Sequence, residues 1–189
     1  VLFIPNMAAI VAVAIVWRLI FHPEYGPLNQ FLMVLGFANP PRWFGASNSA
    51  MAGVIIVSIW HKMGYYMVIF LAGLQGIPKQ LYESADIDGA GGIRKFFSIT
   101  LPMLSPTIFF ASVIAIIDSF KVFSLVYVLT RGGPGRATAV MAFTIYQEAF
   151  DAYKWGSASA MSFVLFLIII IITIIQFRGQ IKWVSYYSL

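Results

Sequence analysis

Cysteine is absent from this chain of 189 residues, and charged residues make up only 10% of it. Without cysteine, disulfide bonds and thiolate metal sites are excluded. The two histidines, His22 and His61, are too few to form a zinc cluster without help from carboxylates. The net charge of +5 comes without a long run of basic residues, so the sequence does not indicate binding to nucleic acid.

Long apolar blocks take the place of the missing charges. Hydrophobic residues make up 60% of the chain and aromatic residues 16%, whereas soluble domains are just under half apolar and about a quarter charged. The pattern therefore predicts a polytopic membrane protein. The chain begins inside an apolar segment, without methionine or the basic segment of a signal peptide, so we expect further spans upstream of Val1.

Four apolar segments are long enough to cross a bilayer as helices, which takes about 20 residues each. They are residues 1–21, 50–74, 106–129 and 158–177. They are too continuously apolar for barrel strands, the other way to satisfy the backbone in lipid. The predicted fold is an all-α, polytopic membrane helix bundle with at least four transmembrane helices, forming one domain over 1–189. Positive charges are spread almost evenly over the two sides and do not fix the orientation.

A polar island, residues 75–104, separates the second and third apolar segments. Its charged residues include Glu83, Asp86, Asp88, Arg94 and Lys95. The glycines that follow the acidic residues give the backbone freedom for a sharp turn between two short helices. Such a helix–turn–helix has to lie at the membrane surface, where a soluble partner can bind it. Composition alone favours a solvated hairpin without a partner.

The spacing inside this island resembles the signature cytoplasmic loop of permease subunits in bacterial binding-protein-dependent ABC importers. The matching residues are Glu83, Ala85, Gly89, Ile99, Leu101 and Pro102, with Ser84 where the family usually has alanine. Residues 17–23, 74–83 and 126–134 are similar to the carbohydrate-uptake branch, and most of all to the maltose-type first permease. The resemblance covers essentially the whole chain, although two N-terminal spans that are usual in the family are missing.

The resemblance implies the transmembrane subunit of an ATP-driven sugar importer in the bacterial inner membrane, with the 75–104 loop and the C-terminus in the cytoplasm. Its implied partners are a second permease subunit, two cytoplasmic ATPase subunits, an extracytoplasmic solute-binding protein, membrane lipid and a sugar. ATP and Mg²⁺ would be bound by the ATPase subunits, because no Gly-Lys-Ser/Thr follows the glycines of the island. The chain itself is therefore expected to hold no cofactor, no metal and no catalytic residue.

The resemblance also implies which residues of the island couple to the ATPase. They are Glu83, Ala85, Asp88, Gly89, Ile99, Leu101 and Pro102. Glu83 would face a cationic group of the ATPase, and Gly89 would make the turn between the helices.

Charged side chains inside two apolar segments mark a candidate substrate site. A charge at the centre of a span costs about 2.5–3.5 kcal/mol and usually faces a cavity or a partner. Asp118 and Lys121 are three residues apart on one predicted helix face, which favours a local ion pair and substrate contact equally. By the family resemblance, Tyr65 and Lys121 are at sugar-contact positions, with Asp118, His61 and Lys62 as neighbours along the path.

Two further functions stay open at this point. A permease of the same superfamily could carry another solute, such as glycerol phosphate, phosphate or a peptide, because Lys62 and Lys121 also suit an anion. A membrane-embedded phosphotransfer enzyme would need several carboxylates around Mg²⁺, and Asp86 and Asp88 have only Glu83 nearby. The residues therefore argue against the enzyme.

Overall fold

A computed structural model describes residues 2–180, and every regular element in this range is a helix. The α-helices are α1 (Ile4–Met7), α2 (Ile10–Ile20), α3 (Pro27–Val34), α4 (Ser47–Gln75), α5 (Lys79–Ile87), α6 (Gly92–Lys95), α7 (Leu101–Phe120), α8 (Ser124–Leu129), α9 (Met141–Tyr146) and α10 (Trp155–Gln180). A 3₁₀ turn lies at Trp43–Gly45, and π-helical turns lie at Phe96–Thr100 and Gln147–Asp151. The predicted all-α class is confirmed for this part of the chain.

Three helical runs within the described range are long and apolar enough to cross a membrane: Ser47–Gln75, Gly92–Phe120 and Trp155–Gln180. The predicted first span contains two helices instead, because the backbone between α1 and α2 is extended at Ala8 and Ala9. The 11 residues of α2 measure about 16 Å, roughly half the hydrocarbon thickness of a bilayer. A crossing within residues 1–21 stays a prediction.

The third run begins earlier and ends earlier than the predicted 106–129 segment. It ends at Phe120, and a short break separates it from α8. Pro106, predicted to begin a helix, lies inside α7. The Ser105 hydroxyl donates to the Pro102 carbonyl at 2.6 Å. This bond satisfies the carbonyl that the missing Pro106 N–H would otherwise leave unpaired, so the helix continues through the proline.

Residues 2–64 and 119–167 form one compact unit. Its buried core consists of Val13, Ala14, Phe21, Val54, Val57, Leu125, Val126, Leu129 and Phe143. The N-terminal segment packs directly on α4, since a Cβ at Gly64 would stand 2.0 Å from the Leu2 carbonyl oxygen. Beside the core, the rings of Tyr127 and Tyr146 pack edge to face, with their centres 5.4 Å apart. A hydrogen bond with the Tyr127 side chain, together with burial, raises the pKa of Tyr146 above its usual value.

Residues 65–118 and 168–180 belong to a second compact unit. Helices α4 and α7 approach closely there, because a Cβ at Gly73 would lie 2.5 Å from Thr107 Oγ1. The rings of Phe109 and Phe177 meet edge to face at 5.2 Å and join α7 to α10. This unit carries the whole polar island.

Candidate functional site

The polar island forms the predicted pair of short helices joined by a tight turn. Helix α5 ends with Asp88 as its C-cap, and Gly89 follows with a φ of +69°, in the left-handed region. The Ala90 N–H donates to the Ala85 carbonyl at 2.9 Å and the Gly89 N–H to Asp86 at 3.1 Å. This pattern is a Schellman motif, and it needs a residue that accepts positive φ. Gly89 therefore lies where the chain reverses.

Two side-chain contacts tie α5 to the segment that follows the turn. The Tyr82 hydroxyl and the Thr100 hydroxyl are 2.9 Å apart and share a hydrogen bond. The Lys95 ammonium forms an ion pair with the Asp86 carboxylate, which is 63% exposed. An exposed pair of this kind contributes at most about 1 kcal/mol. The two contacts fix the direction of α5 more than they stabilise the fold.

The outer surface of the polar island combines charge with exposed apolar side chains. Ile87 is 88% exposed and Ile93 is 79% exposed, on either side of the turn. Glu83 and Asp88 are exposed as well. Large apolar groups rimmed by charge on a surface usually mark a contact site for a partner. The arrangement suits the docking of a soluble protein.

Of the other predicted coupling residues, Ala85 lies in α5, and Ile99, Leu101 and Pro102 lie where the polar island joins the membrane helix. Ala85, Ile99 and Pro102 are half-buried, and Leu101 begins α7. The π-helical turn at Phe96–Thr100 connects α6 to α7 without a break, which the sequence pattern did not indicate. The polar island and α7 thus form one continuous helical rod from Gly92 onward. The assignment of the seven predicted residues to ATPase coupling stays a prediction.

The predicted substrate residues fall on three parts of the chain. His61 and Lys62 lie in α4 with Tyr65 one turn further on, Asp118 lies in α7, and Lys121 follows its end. Because α7 ends at Phe120, Asp118 and Lys121 do not share one continuous helix as predicted. Tyr65 and Asp118 belong to the second unit, and the other residues to the first. Their role in substrate binding stays a prediction.

His61 is only 8% exposed, and its ring contacts the backbone of Ala8. Its Nε2 atom has no hydrogen-bond partner among the residues that the structure describes. A buried nitrogen without a partner costs about 1–3 kcal/mol. This position is therefore suited to an additional polar group.

Two buried polar residues that the sequence did not single out organise the loops of the first unit. Asn29 is 1% exposed, and its amide donates to the carbonyls of Pro23 and Pro41, each at 3.1 Å. Its Oδ1 accepts the indole N–H of Trp43 at 2.7 Å. Thr138 is fully buried and donates to the Gly133 carbonyl at 2.9 Å. The Asn29 bonds hold the loops on either side of α3, and the Thr138 bond holds the loop after α8.

Residues 1–178 match the family described as binding-protein-dependent transport system inner membrane component. The chain is 37% identical over 179 residues to the probable ABC transporter permease protein YurN of Bacillus subtilis. This alignment covers 94% of this chain and 61% of that protein. The chain is 38% identical over 188 residues to the sn-glycerol-3-phosphate transport system permease protein UgpA of Yersinia enterocolitica, with 98% and 62% covered. It therefore spans about three fifths of the length of these relatives.

Solved structures of bacterial alginate ABC transporters contain a chain of similar fold. One transporter imports the acidic polysaccharide alginate, and the similarity has a TM-score of 0.87 at 24% identity over 97% of this chain and 64% of that chain. Another is in complex with an alginate-pentasaccharide-bound periplasmic protein, with a TM-score of 0.87 at 25% identity, and 98% and 65% covered. The resemblance found in the sequence is confirmed, and the chain belongs to the family of inner membrane components of binding-protein-dependent transport systems.

Proposed function

We propose that the chain is the transmembrane subunit of an ATP-driven importer and forms half of its translocation pathway. The observation that carries this proposal is the exposed helix–turn–helix at Lys79–Lys95, which presents Ile87 and Ile93 beside Glu83. Apolar side chains that are exposed beside charged ones usually mark a surface that binds a partner. Two cytoplasmic ATPase subunits are the proposed partners for this surface.

The geometry supplies a route for the motion. An ATPase that closes around the polar island would move α5 and, through the contacts of Tyr82 and Asp86, the segment after the turn. That segment continues into α7 as one helical run of 29 residues, about 44 Å long. A push on the polar island would therefore displace the membrane helix as a rigid rod. Rigid-body movement of this kind switches the accessible side of a transport pathway, by analogy with secondary transporters.

In such an importer the partner subunits carry out ATP hydrolysis, and this chain contributes none of its chemistry. Asp86 argues against a metal-dependent phosphotransfer site in the polar island, because its carboxylate is engaged by Lys95. A second permease would complete the pathway, and an extracytoplasmic solute-binding protein would deliver the solute. In this arrangement the polar island and the C-terminus face the cytoplasm.

The proposed solute is a sugar, with glycerol phosphate as the second candidate. Sugar hydroxyls need charged or amide groups for directional hydrogen bonds, and aromatic rings pack on the apolar faces of the ring. Tyr65, which meets Tyr66 edge to face at 5.3 Å, supplies such a ring. The similarity to a permease named for glycerol 3-phosphate is the reason to keep the second candidate, and Lys62 and Lys121 suit its phosphate.

Purification of the full-length protein from its own membranes, followed by mass spectrometry, tests the assembly. We expect a second permease and an ATPase to purify with it in stable stoichiometry. ATP hydrolysis stimulated by the binding protein loaded with a sugar, or with glycerol 3-phosphate, then identifies the solute class. A chain that purifies alone and monodisperse would contradict the proposed function.

A further inference from the structure

A recess of about 370 Å³ opens beside the end of α2, entirely within the first unit. Two arginines and a histidine line it: Arg18 from the last turn of α2, His22 from the following loop, and Arg131 from the loop after α8. Phe21 and Phe44 form an apolar part of its wall. We call the pocket defined by these five residues the arginine recess.

The cations of the arginine recess have no counter-charge among residues 2–180. Arg18 and Arg131 are exposed, and neither guanidinium forms an ion pair or a hydrogen bond with a residue that the structure describes. The Arg131 guanidinium lies 5.6 Å from the centre of the Tyr127 ring, which leaves its N–H groups available. The Nδ1 atom of His22 accepts the Glu24 N–H at 3.3 Å, so the neutral ring carries its proton on Nε2. The recess therefore offers three sets of donors, and its described lining contains no acidic residue.

The wall of the arginine recess is rigid before any ligand arrives. The centre of the Phe21 ring lies 4.7 Å from that of Trp43 and 5.3 Å from that of Phe44. The Trp43 indole N–H is in turn hydrogen-bonded to Asn29. On the other side, the hydroxyl of Thr130, which lines the recess, is 2.6 Å from the buried Thr138 hydroxyl. A site that is already ordered loses little conformational entropy when it binds.

The chemistry of the recess selects an oxyanion. Guanidinium groups pair with carboxylates and phosphates through parallel N–H bonds, and the phenylalanine rings accommodate the methylene groups of an acidic side chain. Arg18 also complements the C-terminal end of α2, a contribution of about 0.3–1 kcal/mol. That role does not explain why Arg131 and His22 line the same pocket.

The location of the recess indicates the source of the oxyanion. Its lining residues belong to the stretches 18–46 and 121–154, which adjoin the N-terminal end of α4 and the C-terminal end of α7. The membrane crossings proposed for α4 and α7 place both stretches on the side opposite the polar island. These two stretches carry six Lys and Arg residues against three acidic ones: Arg18, Arg42, Lys121, Arg131, Arg136 and Lys154 against Glu24, Glu148 and Asp151. A basic face of this kind attracts an acidic partner.

We infer that the arginine recess receives the carboxylate of an acidic side chain on the extracytoplasmic solute-binding protein. The inference rests on the proposed function, which places this face outside the cytoplasm and the binding protein against it. It assigns Arg18 and Arg131 as the residues that anchor the partner.

The test compares two arginines of the same loop. Arg131 and Arg136 are both exposed and both have positive φ, 49° and 69°, but only Arg131 lines the recess. The affinity of the fluorescently labelled solute-binding protein is measured for the full-length transporter in nanodiscs of neutral lipid. Arg131→Glu should weaken binding about tenfold or more, and Arg18→Gln should weaken it in the same direction. Arg136→Glu, with the same change of charge, should stay within about threefold of the wild type.

A disulfide cross-linking experiment identifies the residue of the binding protein that contacts the recess. Because residues 1–189 contain no cysteine, Arg131→Cys introduces a single thiol into this part of the chain, and any cysteine elsewhere in the transporter is first replaced by serine. Single cysteines are placed in turn at the acidic positions of the binding protein. One of these positions should form a disulfide bond with the Arg131→Cys variant of the permease. The same position should form no disulfide bond with the Arg136→Cys variant.

Each other outcome overturns the inference. Equal weakening by Arg131→Glu and Arg136→Glu would show a general electrostatic attraction without a recess contact. Unchanged binding in both variants would show no contact. Loss of bound phosphatidylglycerol from anionic nanodiscs, with unchanged affinity for the binding protein, would assign the recess to a lipid headgroup. A wild-type transporter that does not bind the solute-binding protein would contradict the proposed function itself, which separates the two failures.

Discussion

At the scale of single residues, Asn29 in α3 connects this helix to the loops that precede and follow it. Its amide satisfies two proline carbonyls and the Trp43 indole while it is almost completely buried. The sequence did not reveal this role, because the partners are up to 14 residues away and no local pattern links them. Periodicity predicts which residues are apolar and helical, but not which polar side chain closes a loop.

Replacing Asn29 by leucine should therefore destabilise the protein. The change keeps a similar volume but leaves buried carbonyls and the Trp43 N–H unpaired, at a cost of about 1–3 kcal/mol. Thermal unfolding in detergent should shift down by about 2–4 °C for each kcal/mol lost. Asn39→Leu, at an exposed position of the loop that follows α3, is the control and should leave the transition near the wild type. Equal shifts in both variants would contradict the role of Asn29.

At the scale of elements, the sequence predicted the polar island well and its junction with the membrane poorly. Glycine among charged residues identified the turn correctly, because positive φ is a local requirement. The continuous helix from Gly92 to Phe120 was not predicted. Pro106 suggested a helix start, and only the Ser105 hydroxyl on the Pro102 carbonyl explains why the helix passes through it.

The Schellman turn of the polar island predicts an order among glycine variants. Gly89→Ala places a Cβ at a φ of +69°, which costs about 1–2 kcal/mol although the surrounding space is open. Gly89→Asn should be tolerated better, because asparagine adopts this conformation more readily. Gly91→Ala, with a φ of −66° and open space around it, is the matched control.

Solute-stimulated ATP hydrolysis by the assembled transporter measures this order. We expect the rate to fall several-fold for Gly89→Ala, less for Gly89→Asn and hardly at all for Gly91→Ala. A Gly91→Ala variant as impaired as Gly89→Ala would show that the turn geometry is not what matters.

At the scale of the whole molecule, the long helices leave most of their apolar surface uncovered by the chain itself. Within the most apolar window of each run, 22% of Ser47–Gln75 is buried, 17% of Gly92–Phe120 and 6% of Trp155–Gln180. Such surfaces are stable only against lipid or other apolar helices. Composition alone predicted this class. The number of crossings was harder to predict, because the extended residues Ala8 and Ala9 interrupt an apolar segment without any polar signal.

Charge reversal at Glu83 tests the proposed coupling most directly. Glu83 is exposed on α5, and Gln80, exposed on the same helix, provides a control that also introduces a cation. ATP hydrolysis stimulated by the loaded binding protein is measured in the reconstituted full-length transporter. The proposed coupling predicts that Glu83→Lys abolishes the stimulation, while Gln80→Lys retains most of it. Full stimulation in the Glu83→Lys variant would contradict docking of the ATPase on the polar island.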